Sequence, residues 1–216
     1  MALHGVYDNV IFDFCDVLLD WQPRAAVEGV CAPDVLDRLF DYDDPYGFWH
    51  YDELSDLGWS EERILADYAA HHAVSDSALT STPEVQAFRT YFERQRLALV
   101  GMIPGMDALL QELNAAGVQC WGLTNFTVKY VDAARELFAP LGVLRDVVVS
   151  SAERIHKPDP EIYRRAVSRF DIDPSHAAFV DDKQRNADAA AAAVPGLTGI
   201  QFTGASALRS ALLRED

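Results

Sequence analysis

The sequence predicts an α/β protein in which a parallel sheet, covered by helices on both faces, is interrupted early in the chain by a helical insertion. Short apolar runs of strand length, each bounded by turn signals, recur along the chain. From about residue 105 onward they alternate with helical patterns, and alternation of this kind gives parallel strands joined by crossovers. About 100 residues separate the first run from the next, far more than an ordinary connection needs, so a further unit is inserted there.

The strands are expected at "NVIFDF" (Asn9 to Phe14), "VQCWGLTN" (Val118 to Asn125), "RDVVVSS" (Arg145 to Ser151), "HAAFVDD" (His176 to Asp182) and "TGIQF" (Thr198 to Phe202). Between them, "GMDALLQELNAAG" sets Met106, Leu109, Leu110 and Leu113 on one helical face and stops at Gly117. "VKYVDAARELF", "DPEIYRRAVSRF" and the Ala-rich "NADAAAAAV" supply the later helices, the last read as packed closely on the sheet.

Within the insertion, "PRAAVEGV", "PDVLDRLF", "SEERILADYAAHH" and "PEVQAFRTYFERQRLALV" read as helical. Ser60 caps the third, with Glu61 and Glu62 in its first turn, and Pro83 opens the fourth. The stretch between the second and third, "DYDDPYGFWHYDELSDLGW", reads as aromatic-rich and turn-rich. The expected division is therefore an α/β core of residues 1–20 and 96–216 and a small α-helical cap of residues 21–95.

Of the 216 residues, 18 are Lys or Arg and 34 are Asp or Glu, for a formal net charge of -16. That field repels phosphate backbones and anionic lipid, so neither nucleic acid nor a membrane surface is an expected partner. Three cysteines, Cys15, Cys31 and Cys120, contain no CxxC pair and read as reduced thiols of a cytoplasmic protein. "MALHGVYDNV" has no basic segment leading into an apolar one, and no apolar run reaches membrane-spanning length. A monomer or homodimer is expected.

In open α/β sheets ligands bind beyond the carboxyl ends of the strands. Those ends deliver Asp13, then Thr124 and Asn125, and finally Asp181 and Asp182, while "RIHKPDP" after the third strand supplies Lys157. Carboxylates brought so close raise one another's pKa unless a cation lies among them, and a few oxygens with open water positions suit Mg²⁺. A metal with a lysine makes an anion site, most simply for phosphate, at which one aspartate can act as nucleophile.

With those residues in that order, the sequence resembles the haloacid dehalogenase-like hydrolase superfamily along nearly its whole length. Its first motif, an apolar strand ending Asp-x-Asp-Gly-(Thr/Val)-Leu, is approached by "FDFCDVLLD". The later motifs are matched by "GLTN", "HKPDPEIY" and "FVDDKQRN". The resemblance implies a Rossmann-like core with a helical cap inserted after the first motif. It implies that Asp13 is the nucleophile and a Mg²⁺ ligand, that the Cys15 carbonyl and Asp181 are further ligands, that Asp182 completes the acidic site, and that Asn186 supports it. Thr124 and the neighbouring Asn125 amide would hold a phosphoryl oxygen, and Lys157 would hold nucleophile and phosphate together. The implied reaction is hydrolysis of a small phosphorylated metabolite through an aspartyl-phosphate.

Cys15 departs from the motif, because phosphatases of this kind place there an aspartate that protonates the leaving oxygen and then activates water. A thiol, ordinarily of pKa about 8.5, is a poor substitute beside carboxylates. Asp16 is not its evident replacement, since in an extended segment neighbouring side chains alternate in direction. Two further readings stay open: a metal-independent 2-haloacid dehalogenase using Asp13, whose halide leaves without a proton, and a catalytically slow binder of a phosphometabolite. The paired acids Asp181 and Asp182 favour magnesium and phosphate. A leaving group needing little acid help, such as that of an anomeric sugar phosphate, would suit Cys15. Trp21, Phe48, Trp49 and His50 could line a substrate pocket above the site or form the cap's own core, and His71 and His72 lack ligand spacing.

Overall fold

The computed structural model of the protein describes residues 3–72 and 82–215; residues 73–81 of the expected cap lie outside them. The strands are β1 (Leu3–Gly5), β2 (Asn9–Phe12), β3 (Leu19–Trp21), β4 (Leu99–Met102), β5 (Gln119–Thr124), β6 (Leu144–Val149), β7 (Ala177–Asp181), β8 (Thr198–Gln201) and β9 (Leu213–Glu215). The helices of the insertion are α1 (Pro33–Leu39), α2 (Phe48–Asp56), α3 (Glu61–His72) and α4 (Pro83–Arg94). Those of the core are α5 (Met106–Ala115), α6 (Val128–Leu137), α7 (Ser150–Glu153), α8 (Pro160–Phe170), α9 (Gln184–Ala193) and α10 (Ala205–Leu212).

The central sheet runs β6-β5-β2-β7-β8, every neighbour parallel, as a Rossmann-like core requires. Strand β2 occupies the middle because both of its faces are apolar. Val10 and Phe12 point into the larger core, shared with Leu109, Leu110 and the cap aromatics. Ile11 points the other way, into a second core with Trp121, Ile162, Phe170 and Phe179. Each such side chain, fully buried, stabilises the fold by roughly 1.5–3 kcal/mol. From β2 the sheet extends to β5 on one side and β7 on the other, so the chain after Phe12 emerges where the strand order reverses.

The Ala-rich helix α9 lies almost directly on β8. A Cβ at Gly199 would come within 2.1 Å of the Ala187 carbonyl oxygen, so the approach exists only because that strand residue has no side chain.

Three parts of the insertion differ from the sequence expectation. "PRAAVEGV" forms only a 3₁₀ turn over Pro23–Ala26. The fourth helix stops at Arg94, and after a 3₁₀ turn the chain becomes strand β4, because Leu99 to Met102 find an antiparallel partner in β3. The stretch read as turn-rich contains helix α2, which forms because Phe48, Tyr51 and Ser55 share one buried face; tertiary packing supplies what local propensity does not. The antiparallel pair β1 and β9, and helix α10, were not expected either; β1 and β9 join the two ends of the described chain. Among the described residues no helix is long and apolar enough to cross a membrane.

Candidate active site

Asp13 is the first residue beyond β2, and its backbone N–H donates to the Val180 carbonyl at 2.9 Å, continuing the ladder with β7. Only 6% exposed, its carboxylate Oδ1 accepts from the Phe14 N–H at 2.7 Å. The Lys157 ammonium, 2% exposed, lies 2.7 Å from Asp13 Oδ1 and donates to Asp181 Oδ2 at 2.7 Å. Asp181 Oδ1 accepts from the Lys183 N–H and from Asn186 Nδ2, each at 2.9 Å. Asp181 Oδ1 is thus held by the turn that begins α9 and Oδ2 by Lys157.

Asn125 reaches across from the end of β5 to the backbone of Lys157. Its Nδ2 donates to the Lys157 carbonyl at 3.0 Å and its Oδ1 accepts the Lys157 N–H at 2.8 Å. The side chain therefore fixes the loop carrying the lysine and is not itself free to bind a ligand. The Thr124 hydroxyl is fully buried and has no hydrogen-bond partner among the described residues.

Burial pushes the Asp13 carboxyl up to about 7, against the pull of Lys157 and with the help of Asp181. Asp181 goes the other way: burial opposes ionisation, but Lys157 and the donors from Lys183 and Asn186 hold its pKa below the usual carboxylate range. Burial would likewise lower Lys157, yet its two carboxylates outweigh that and raise it. The lysine is thus a fixed cation between two aspartates of unlike acidity. Burial raises Asp182 as well.

One oxygen from each of Asp13, Asp181 and Asp182 falls within 4.8 Å of the others. Asp182 Oδ1 is buried and accepts no hydrogen bond among the described residues. A crowded set of hard oxygen donors with an orphaned acceptor fits a divalent cation of the magnesium type.

Cys15 is half-buried, and its thiol is pushed well above its ordinary pKa by burial and then by the charges of Asp13, Asp56 and Asp52. Asp16 adopts φ +60°, so the segment is not extended as the alternation argument assumed. The chain turns back on itself, with the Leu18 and Leu19 N–H groups both donating to the Phe14 carbonyl at 2.8 Å. Asp16 is exposed and lines an outer groove instead of the acidic cluster.

That groove has a volume of about 540 Å³ and is walled by Trp21, Phe40, Tyr42 and Trp49, with Arg24 and Lys183 at its edges. Trp49 stacks on Tyr42 with ring centroids 4.5 Å apart and meets Trp21 edge-on at 6.3 Å. Phe48 is instead fully buried in the insertion's core, and His50 sits edge-on to Tyr46 and Tyr51. His71 and His72 bond to Asp67 and Asp44. Sequence reasoning did not single out Arg24, Lys183, or the two acids of α2, Asp52 and Asp56. The i, i+4 spacing of those acids, continuing the stripe of the buried Phe48 beside Tyr51 and Ser55, was the available signal.

A parallel sheet whose central strand ends on a buried acid paired to a lysine and a second acid is the frame of an α/β enzyme with a carboxylate at its reacting centre. The chain belongs to the haloacid dehalogenase-like hydrolase family, whose sequence profile matches residues 7–193. It is 31% identical over 207 residues to the sesquiterpene phosphatase astK of Aspergillus oryzae, covering 91% of this chain and 90% of that one. It is 26% identical over 183 residues to (S)-2-haloacid dehalogenase 4A of Burkholderia cepacia, covering 79% and 72%. A HAD family enzyme of Bacteroides thetaiotaomicron, solved with magnesium and inorganic phosphate, has the same fold at a TM-score of 0.64 and 15% identity, over 92% of this chain and 95% of that one.

Proposed function

We propose that the protein is a Mg²⁺-dependent phosphomonoester hydrolase that acts on a small phosphorylated metabolite through an aspartyl-phosphate at Asp13. The observation that carries this reading is the convergence of Asp13, Asp181 and Asp182 oxygens within 4.8 Å, with Lys157 bridging two of the three acids. Asp13, the Cys15 carbonyl, Asp181 and Asp182 would hold the ion, which supplies charge neutralisation at the phosphoryl group when bound. Asp13 Oδ attacks phosphorus, Lys157 favours the ionised carboxylate against its burial and aims it, and the Thr124 hydroxyl with the Asn125 backbone amide holds a phosphoryl oxygen. The unpaired Thr124 hydroxyl supports this, since a buried group of that kind needs a partner.

In this reading residues 1–20 and 96–216 are the core and 21–95 the cap. Trp21 and Trp49 hold the alcohol part of the substrate in the groove between them, and three free cysteines suit the cytoplasm. Aromatic walls accept the ring face of a sugar phosphate or a larger apolar alcohol. The name of the Aspergillus relative supports the apolar ester, whereas Cys15 taken alone favours the anomeric sugar phosphate.

The test is a screen of sugar 1-phosphates, isoprenyl phosphates and p-nitrophenyl phosphate with and without Mg²⁺. Phosphate release that requires the metal and is lost in Asp13→Asn supports the reading. The dehalogenase alternative draws on Cys15 and on the Burkholderia relative, and it demands metal-independent halide release from a 2-haloacid.

A further inference from the structure

Helix α2 brings two carboxyls, Asp52 and Asp56, to its interface with the core beside Thr127 and Tyr130. This helix is clamped to the core at several points. Glu53 Oε1 lies 3.4 Å from His156 Nε2, immediately before Lys157 in the chain. Two residues past the helix, Gly58 presses on the core so closely that a Cβ there would lie 2.6 Å from the Ser151 carbonyl oxygen. Beyond it, Glu61 pairs with Lys129 at 2.6 Å.

So held, the helix presents Asp52 and Asp56, one turn apart, to a small enclosed cavity between cap and core. The cavity measures about 10 Å³, room for about one water molecule. It is also lined by Gln95, only 4% exposed, whose Nε2 has no hydrogen-bond partner among the described residues. Neither carboxylate has a hydrogen-bond partner among the described residues, although each lines this cavity. Of the two, Asp56 lies between the helix's contacts with the core, Glu53 against His156 beside Lys157 and Gly58 against Ser151. The charges acting on it are those of Asp52 and Glu53 from its own helix and of Lys157 and Asp13 from across the interface. Asp52 responds instead to Lys183 and Glu53.

We propose that Asp56, delivered by the cap, is the general acid and base that position 15 does not supply. This rests on the phosphatase reading above. In the first step Asp13 Oδ forms a bond to phosphorus and the bond from phosphorus to the ester oxygen breaks. That oxygen takes the proton of Asp56, leaving as the alcohol. In the second step the Asp56 carboxylate takes a proton from water as the water oxygen bonds to phosphorus. The bond from phosphorus to Asp13 Oδ breaks, inorganic phosphate departs, and Asp56 is protonated again. Burial, reinforced by Asp52, keeps the Asp56 carboxyl well above the usual carboxylate range, as a proton donor at neutral pH needs. The buried Cys15 thiol and the nearby phenols Tyr91 and Tyr130 are all pushed up as well, so none of them competes for the base role. Closure of the cap over the core then assembles the catalytic set, and a substrate that does not let α2 seat will not be turned over.

The experiment compares the full chain with its variants in Mg²⁺ on two esters: benzyl phosphate, whose alkoxide needs a proton to leave, and p-nitrophenyl phosphate, whose phenolate does not. Asp56→Asn is expected to lower kcat on benzyl phosphate by roughly 10²–10⁴-fold. On p-nitrophenyl phosphate it should give a burst of nitrophenolate, with phosphorylated Asp13 accumulating in the acid-quenched protein beyond the wild-type level. Asp52→Asn, which removes the charge that helps Asp56 hold its proton, should lower the upper pH limit of benzyl phosphate turnover and leave that of p-nitrophenyl phosphate unaltered. Adding Cys15→Asp to Asp56→Asn should restore benzyl phosphate turnover, which a purely structural role for Asp56 would not allow. If Asp56→Asn fails to fold by circular dichroism, Asp56→Glu takes its place, with an expected fall in the ratio of benzyl to p-nitrophenyl turnover. A wild-type ratio in either variant, without phosphoenzyme accumulation, overturns the assignment. So does a double variant no better than Asp56→Asn. Wild-type protein inactive on both esters, and unaltered by Asp13→Asn, would instead remove the phosphatase reading itself.

Discussion

Lys157 Nζ stands 2.7 Å from Asp13 Oδ1 and 2.7 Å from Asp181 Oδ2, so one buried cation holds together the ends of two adjacent parallel strands. The pairing has opposite effects on its partners, because Asp181 keeps two further donors while Asp13 has only the Phe14 N–H. Asp181 is thereby a permanent anion, and Asp13 is a carboxylate whose ionisation depends on what else is bound.

Lys157→Ala should destabilise the protein by roughly 3–5 kcal/mol in urea unfolding, because removing one member of a buried ionic set leaves the others uncompensated. Excess Mg²⁺ should recover part of the loss, since a cation among the carboxylates replaces the missing charge. A variant as stable as the wild type would show that the triad is not fully desolvated.

Apparent Mg²⁺ affinity should depend on pH. The Asp13 carboxyl is raised to about 7, and only its deprotonated form ligates a metal. Below that pH the ion must displace a proton, so the dissociation constant should rise by up to about tenfold per pH unit as pH falls from 7, and level off above it. Calorimetric titrations in buffers of different ionisation heat would detect the released proton. No proton release at pH 6 would count against Asp13 as a ligand.

Asp13→Asn should fold normally and lose Mg²⁺-dependent phosphate release by about 10³-fold or more, because the amide cannot serve as the nucleophile. Residual turnover near the wild-type level would assign the chemistry to another group.

Trp49→Ala should raise KM for an apolar phosphate ester about fivefold while leaving kcat nearly unchanged, since the ring lines the groove and lies away from the reacting acids. Equal losses in kcat and kcat/KM would place Trp49 in the transition state instead.

Gly199→Val should cost roughly 1–3 kcal/mol by thermal or chemical unfolding. The Ala187 carbonyl leaves no room for a Cβ there, and helix α9 must lift off the sheet to admit one. A neutral effect would mean that this packing is looser than the 2.1 Å approach implies.

Much of the core could be read from the chain alone. Continuous apolar runs such as Val10 to Phe12 mark strands buried on both faces. Asp13, Thr124 and Asp181 stand at or just beyond strand ends, and Lys157 in the loop after α7, because a parallel sheet delivers all its carboxyl ends to one edge. The same local logic failed in the insertion. Helix α2 is defined by what Phe48 and Tyr51 pack against, and β4 by the arrival of β3 from about 80 residues away in sequence. Asn125 was visible as part of a motif, but its grip on the Lys157 backbone joins residues 32 apart.

The sequence by itself therefore determined the family, the sheet and the identity of the acids and lysine at its edge, since these follow from periodicity and from residues standing next to one another along a strand. Only the tertiary structure decided how the acids divide their charge around Lys157, that Trp49 faces a groove while Phe48 fills a core, and that Asp52 and Asp56 meet the core at a shared cavity. Those outcomes depend on burial and on distances between segments remote in the chain, and neither is encoded in any local pattern of residues.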